Sequence, residues 1–264
     1  MATTDSLLPV NFSVGNLSVF TRRGSKKQVV RRKGGPSKKT IMSDPACANT
    51  KRASVEFGGC SSAATLIKNA MPNVSHLTDF MLRSRLHGIC SAIIKLDDTE
   101  GANYKSILFS KGLHLLDGFC FNEEHPFDSV LSTSIPCVID RTEFKATVYL
   151  PPISPGHNFR NPWAPSYYRF RLNLGVIHDW AYDERQGYQP THVDVMEFTA
   201  SVDSEWMQTK DPQPSQIMSI QLNNPGFVEG SHLLLSIGIE FGTKKLEEII
   251  PVNRTGCGKI LVIT

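Results

Sequence analysis

From Gly118 to the C-terminus, apolar residues alternate with polar ones along short runs that proline and glycine interrupt. A period of two can be satisfied by a strand with one buried face, and not by a helix. Candidate strands lie at 129–139, 144–150, 167–174, 175–182, 192–200, 216–222, 232–241 and 259–263. Asp140-Arg141-Thr142-Glu143 has the composition of a hairpin turn between the first two. Seven or eight short strands with almost no helix predict an antiparallel β-sandwich or jelly-roll.

The preceding residues are different in texture. Asp44 followed by Pro45 is a helix start, since the carboxylate caps free amides and proline stands where no N–H is needed. The pattern predicts a helix from there to about Gly58 and, beyond the weak point Gly58-Gly59, a second one ending at Met71-Pro72. An amphipathic helix follows from Ser75, with Leu77, Phe80, Met81, Ile89, Ile93 and Leu96 on its apolar face. Residues 104–116 fit a helical turn or a buried strand equally well. The class is therefore α+β, with a basic N-terminal arm or hairpin over 1–42, a short helical segment over 43–117 and the β-sandwich over 118–264.

Charge divides the chain unevenly. Residues 1–52 carry eleven Lys and Arg against Asp5 and Asp44, a local charge of +9, whereas residues 53–264 carry −6. Two apolar runs, Phe12 to Phe20 and Val29-Val30, flank a basic loop around Gly24 and read as a hairpin. The run from Arg31 to Lys39, broken by Gly34-Gly35-Pro36, reads as a flexible linker. Nine cations without an intervening acid, Arg22, Arg23, Lys26, Lys27, Arg31, Arg32, Lys33, Lys38 and Lys39, make this stretch a candidate binder of phosphates or of an acidic protein partner.

The six cysteines are scattered, with no pair inside a CxxC spacing, which predicts free thiols in a reducing compartment. No apolar run is long enough to span a bilayer, and residues 1–15 lack the basic and apolar regions of a secretory leader. The expected location is the cytoplasm, or an assembled particle or filament.

Catalytic templates fail residue by residue: the chain has no GxGxxG, phosphate loop, HExxH, GxSxG or EF-hand loop. His192 and Asp194, two apart on a candidate strand, share a face and with His178 and Asp179 suggest an acid/base or metal site. Their alternation with Val193 and Val195 equally fits the wet face of a strand. The cluster Phe159, Trp163, Tyr167, Tyr168, interleaved with arginine, offers an interface or a stacking platform, against the plainer alternative of loop and core packing. No catalytic residue, metal or cofactor is assigned.

The run Leu17-Ser18-Val19-Phe20, then Val30 to Gly35, Asp44-Pro45-Ala46, Glu56-Phe57-Gly58 and the late strand Ile237 to Phe241 resembles an uncharacterised protein family of Bacteroidetes. The resemblance implies a β-rich C-terminal half and no particular activity. The expectation from sequence is a non-enzymatic, self-assembling structural protein, a homo-oligomer whose basic arm docks on a neighbouring subunit. The alternative is a coat-like protein that binds nucleic acid through the same arm.

Overall fold

The computed structural model describes residues 2–5, 11–22, 27–99, 104–191, 198–223 and 230–264. These fall in two compact units, Met1–Val55 and Glu56–Thr264. Helix and antiparallel sheet are mixed, as the α+β expectation requires.

In the first unit, four strands make one antiparallel sheet in the order β1-β4-β3-β2: β1 (Ala2–Asp5), β2 (Phe12–Val14), β3 (Leu17–Thr21) and β4 (Lys27–Arg32). The expected hairpin is present as β3 and β4, with Val19 opposite Val30. The stretch read as a flexible linker is shorter than expected. β4 extends to Arg32, and α1 (Lys38–Ser43) begins where the Ser37 hydroxyl caps the Thr40 N–H at 3.1 Å. Asp44 then accepts from the Ala46 N–H at 2.9 Å with Pro45 opening a single 3-10 turn, so the helix-start signature operates as the sequence predicts.

Two sheets organise the second unit. In the larger, β10 (Thr199–Asp203), β7 (Tyr167–His178), β13 (Ser231–Lys245) and β14 (Glu248–Ile263) lie side by side in that order, and β11 (Met207–Gln208) also pairs with β7. The smaller has the order β12-β6-β5, from β12 (Gln216–Gln221), β6 (Lys145–Leu150) and β5 (Cys137–Asp140). β8 (Trp180–Asp183) and β9 (Gly187–Pro190) form a separate ribbon. The strands expected at 167–174 and 175–182 are one continuous strand to His178 and then β8. A strand expected from 129 is a helical turn, Phe127–Val130, before β5.

Alternation assigns the faces. Tyr168, Phe170, Leu172, Leu174 and Val176 of β7, with Leu233, Leu235, Ile237, Ile239 and Phe241 of β13, point one way and join Ala146, Val148, Leu150, Met218 and Ile220 of the smaller sheet in a single apolar cluster. The opposite face of the larger sheet supplies Ile177, Leu234 and Ile260 to a second cluster. There they meet α2 (Ala48–Asn69) through Ala63, Ala64 and Ile67, and α3 (Leu82–Ile93) through Leu86 and Ile93. The helices of residues 56–117 thus pack with the strands of 118–264 in one unit. Coverage on both sides explains why β7 and β13 read as nearly continuous buried runs over 172–178 and 231–242.

Glycine makes the helical layer possible at close quarters. A Cβ on Gly175 would stand 1.9 Å from the Ala70 carbonyl oxygen, and one on Gly238 would stand 2.5 Å from Leu77 Cδ1. α2 is not divided at Gly58-Gly59, because Gly59 is the spot where the Tyr188 ring lies against the helix.

All six thiols are free; Cys60, Cys90 and Cys257 are buried, which raises their pKa, and Cys47, Cys120 and Cys137 are half-buried. At the β13–β14 hairpin, Leu246 is 97% exposed and holds a φ of +55°, a region that penalises a side chain with a Cβ. Leu246→Gly is expected to stabilise the protein by roughly 1 kcal/mol in denaturant unfolding. A loss of stability would show that Leu246 makes a contact in solution.

Candidate assembly surface

The basic N-terminal sheet presents two chemically distinct faces. Register pairs Phe12 with Val19, Val14 with Leu17, Leu17 with Arg32 and Val19 with Val30, so these side chains share one face. On it Phe12, Val14 and Leu17 are 49%, 66% and 49% exposed, an apolar strip across the outer strand β2 and the start of its neighbour β3, with Arg32 at its border. The other face carries Ser18, Phe20, Val29 and Arg31, with the Arg31 guanidinium 5.2 Å from the Phe20 ring centroid.

Of the predicted cations, Arg22, Lys27, Arg31, Arg32, Lys33, Lys38 and Lys39 are exposed, whereas Arg23 and Lys26 lie outside the described residues. Among the described residues, Arg31, Arg32, Lys33, Lys38 and Lys39 form no ion pair. Five unneutralised charges within nine residues repel one another and favour an anionic partner. An exposed ion pair contributes only about 0–1 kcal/mol in salt, while burying one aliphatic side chain contributes about 1.5–3 kcal/mol.

The aromatic cluster resolves differently from an interface. Phe159 and Tyr168 are core residues, at 2% and 0% exposure, with ring centroids 4.4 Å apart. That corrects their assignment as surface contacts: Tyr168 points with alternate residues of β7 into the space between the sheets, and Phe159 packs there from the loop. Trp163 is half-buried against Phe241 at 4.9 Å, and Tyr167, the first residue of β7, is half-buried as well.

His192 and Asp194 lie outside the described residues. Their proposed companions are buried: the Asp179 carboxylate accepts from the Ser110 N–H at 3.1 Å and its hydroxyl at 2.9 Å, with His232 Nε2 at 3.6 Å. Burial alone would raise the Asp179 pKa, but His232 and the two Ser110 donors bring it below the usual carboxylate range. The Ser110 hydroxyl donates to the carboxylate rather than to a histidine, so this trio lacks the geometry of an activated nucleophile. His178 turns to Ser231 instead, at 2.8 Å. Among the described residues no three metal-ligating side chains converge.

A larger polar centre that sequence reasoning missed lies where polar residues of β7, β10 and β13 meet the turn after α2. Glu240, with its side chain 4% exposed, accepts from Arg169 at 2.7 and 2.8 Å, Arg171 at 3.0 Å and His76 Nε2 at 2.7 Å. Asp203 takes the remaining guanidinium donors, from Arg171 at 3.0 Å and Arg169 at 3.1 Å, and Asn73 closes the network onto Arg171 and Asp203. Burial would raise the Glu240 pKa, yet hydrogen bonds from His76 and Arg169 and the two guanidinium charges hold it at about 2. So acidic a carboxyl cannot exchange protons near neutrality; the centre pins the turn to the sheet. The available signal was the pair Arg169 and Arg171, two apart in an otherwise apolar strand.

No protein-family model, curated protein or solved structure matches this chain. The residues quoted for the Bacteroidetes resemblance are therefore its whole basis.

Proposed function

We propose that the chain is a non-enzymatic structural protein that assembles with copies of itself, docking its N-terminal sheet on a neighbouring subunit while the two packed sheets act as a sandwich-like body. The observation that carries this reading is the exposed strip Phe12, Val14 and Leu17 beside five cations that form no ion pair among the described residues, in a chain whose residues 53–264 have a charge of −6. Exposed apolar side chains on a sheet face are what a protein partner buries, and opposite charge on the remaining chain makes a second copy an apt partner.

The coat-like alternative uses the same cations on phosphates, and the exposed run 31–39 favours it to that extent. Aliphatic Val14 and Leu17 contribute nothing to phosphate binding, and this separates the two readings. Val14→Ser with Leu17→Ser is expected to weaken self-association at least tenfold in sedimentation while leaving any heparin retention unchanged. Replacing Arg31, Arg32, Lys38 and Lys39 by Gln should slow assembly at low salt. If that second variant instead abolishes salt-sensitive heparin retention while the serine variant sediments like its parent, the nucleic-acid reading replaces the first.

A further inference from the structure

A groove of about 760 Å³ opens beside the outer strands of both sheets in the second unit. Its walls come from the end of β10, the turn to β11 and the start of β12, including Asp203, Glu205, Trp206, Asp211 and Ile217. Among the described residues, three carboxylates and no cation line it. Asp203 is spent on Arg169 and Arg171, but Glu205 and Asp211 are exposed and form no ion pair among the described residues; Lys210 is exposed in the same turn without lining the groove. Ile217 is 67% exposed, an unusual position for a large aliphatic side chain, and Trp206 is fixed under the Arg169 guanidinium, 4.6 Å from its ring. Aromatic anchor, aliphatic neighbour and unneutralised acids together make a built receptor for a surface that is both apolar and cationic.

The N-terminal sheet of this same chain has that composition on one face, Phe12, Val14 and Leu17 with Arg32 opposite Leu17; the exposed Lys33 follows just past the end of β4. We infer that the groove receives this face from a second copy, with Phe12, Val14 and Leu17 against Trp206 and Ile217, and Arg32 and Lys33 against Glu205 and Asp211. The inference rests on the self-assembly reading and adds the acceptor to it. Because donor and acceptor are different patches, the contact is heterologous and propagates from copy to copy, closing into a ring or extending as a filament.

Two full-length variants test it by charge exchange. One carries Arg32→Glu with Lys33→Glu, the other Glu205→Arg with Asp211→Arg. All four positions are exposed, and matching circular dichroism melts establish that both variants fold. Each variant alone juxtaposes like charges and is expected to sediment as a single chain. Mixed in equal amounts, each supplies a complement to the other, and the mixture is expected to regain the parent's sedimentation. Assembly by the groove variant alone, with the sheet variant dissociated, would overturn the groove as acceptor while leaving self-assembly standing. Failure of the mixture to reassemble would also overturn it. A parent protein that is itself a single chain would remove both proposals.

Discussion

Gly175→Ala is expected to cost more than about 3 kcal/mol and to leave little folded protein, since this glycine has the closest approach of any among the described residues. The added Cβ would meet the Ala70 carbonyl oxygen at 1.9 Å, and that oxygen is also held by the Asn173 amide at 2.7 Å. Backbone held in this way cannot rotate aside as a side chain can, so the turn after α2 must lift from β7. Gly238→Ala should cost less, since its nearest obstacle at 2.5 Å is the movable Leu77 Cδ1. Gly58→Ala, with nothing within 4 Å and a helical backbone, should stabilise by up to about 1 kcal/mol. Denaturant midpoints of the three variants check the order, and a Gly175→Ala protein as stable as its parent would mean that the turn does not rest on the sheet.

Glu240→Gln is expected to lose about 3 kcal/mol at neutral pH, because it removes the more buried of the two carboxylates that the half-buried Arg169 and Arg171 share, leaving them Asp203. The same site dictates an acid limb. The carboxyl titrates at about 2 in the folded protein against an ordinary value of 4.5, so its contribution is complete above 4.5 and drains away as pH falls from there toward 2. A shift of that size corresponds to about 3 kcal/mol. Unfolding free energies of parent and variant measured across this window should converge as the pH is lowered. If the gap between them stays constant from neutrality to pH 2, the ionised carboxylate is not the source of the stability.

Local pattern located the strands well where one face is wet, and less well where both are covered. Alternation in 144–150 and 216–222 marks β6 and β12 to within a residue or two, because these strands border solvent. Gly175 read as a break between two strands; it is a point of backbone approach inside one, a distinction that depends on Ala70 a hundred residues away. Gly58-Gly59 misled in the same way, since the partner that requires Gly59 is Tyr188. The amphipathic run from Ser75 begins as turns that deliver Asn73, His76 and Leu77 to the sheet, and α3 starts only at Leu82. Charge asymmetry made the basic stretch visible as a candidate surface. Its division into an apolar face and a cationic border needed the strand register, which places Arg32 beside Leu17 and Arg31 behind it.

Sedimentation equilibrium of the unmodified, full-length protein over a wide concentration range is the most direct examination of the assembly account. The average mass should climb above that of one chain as concentration rises, and climb further when salt is lowered, as expected of an apolar contact bordered by opposite charges. A mass fixed at one chain throughout, at low and high salt alike, would contradict it.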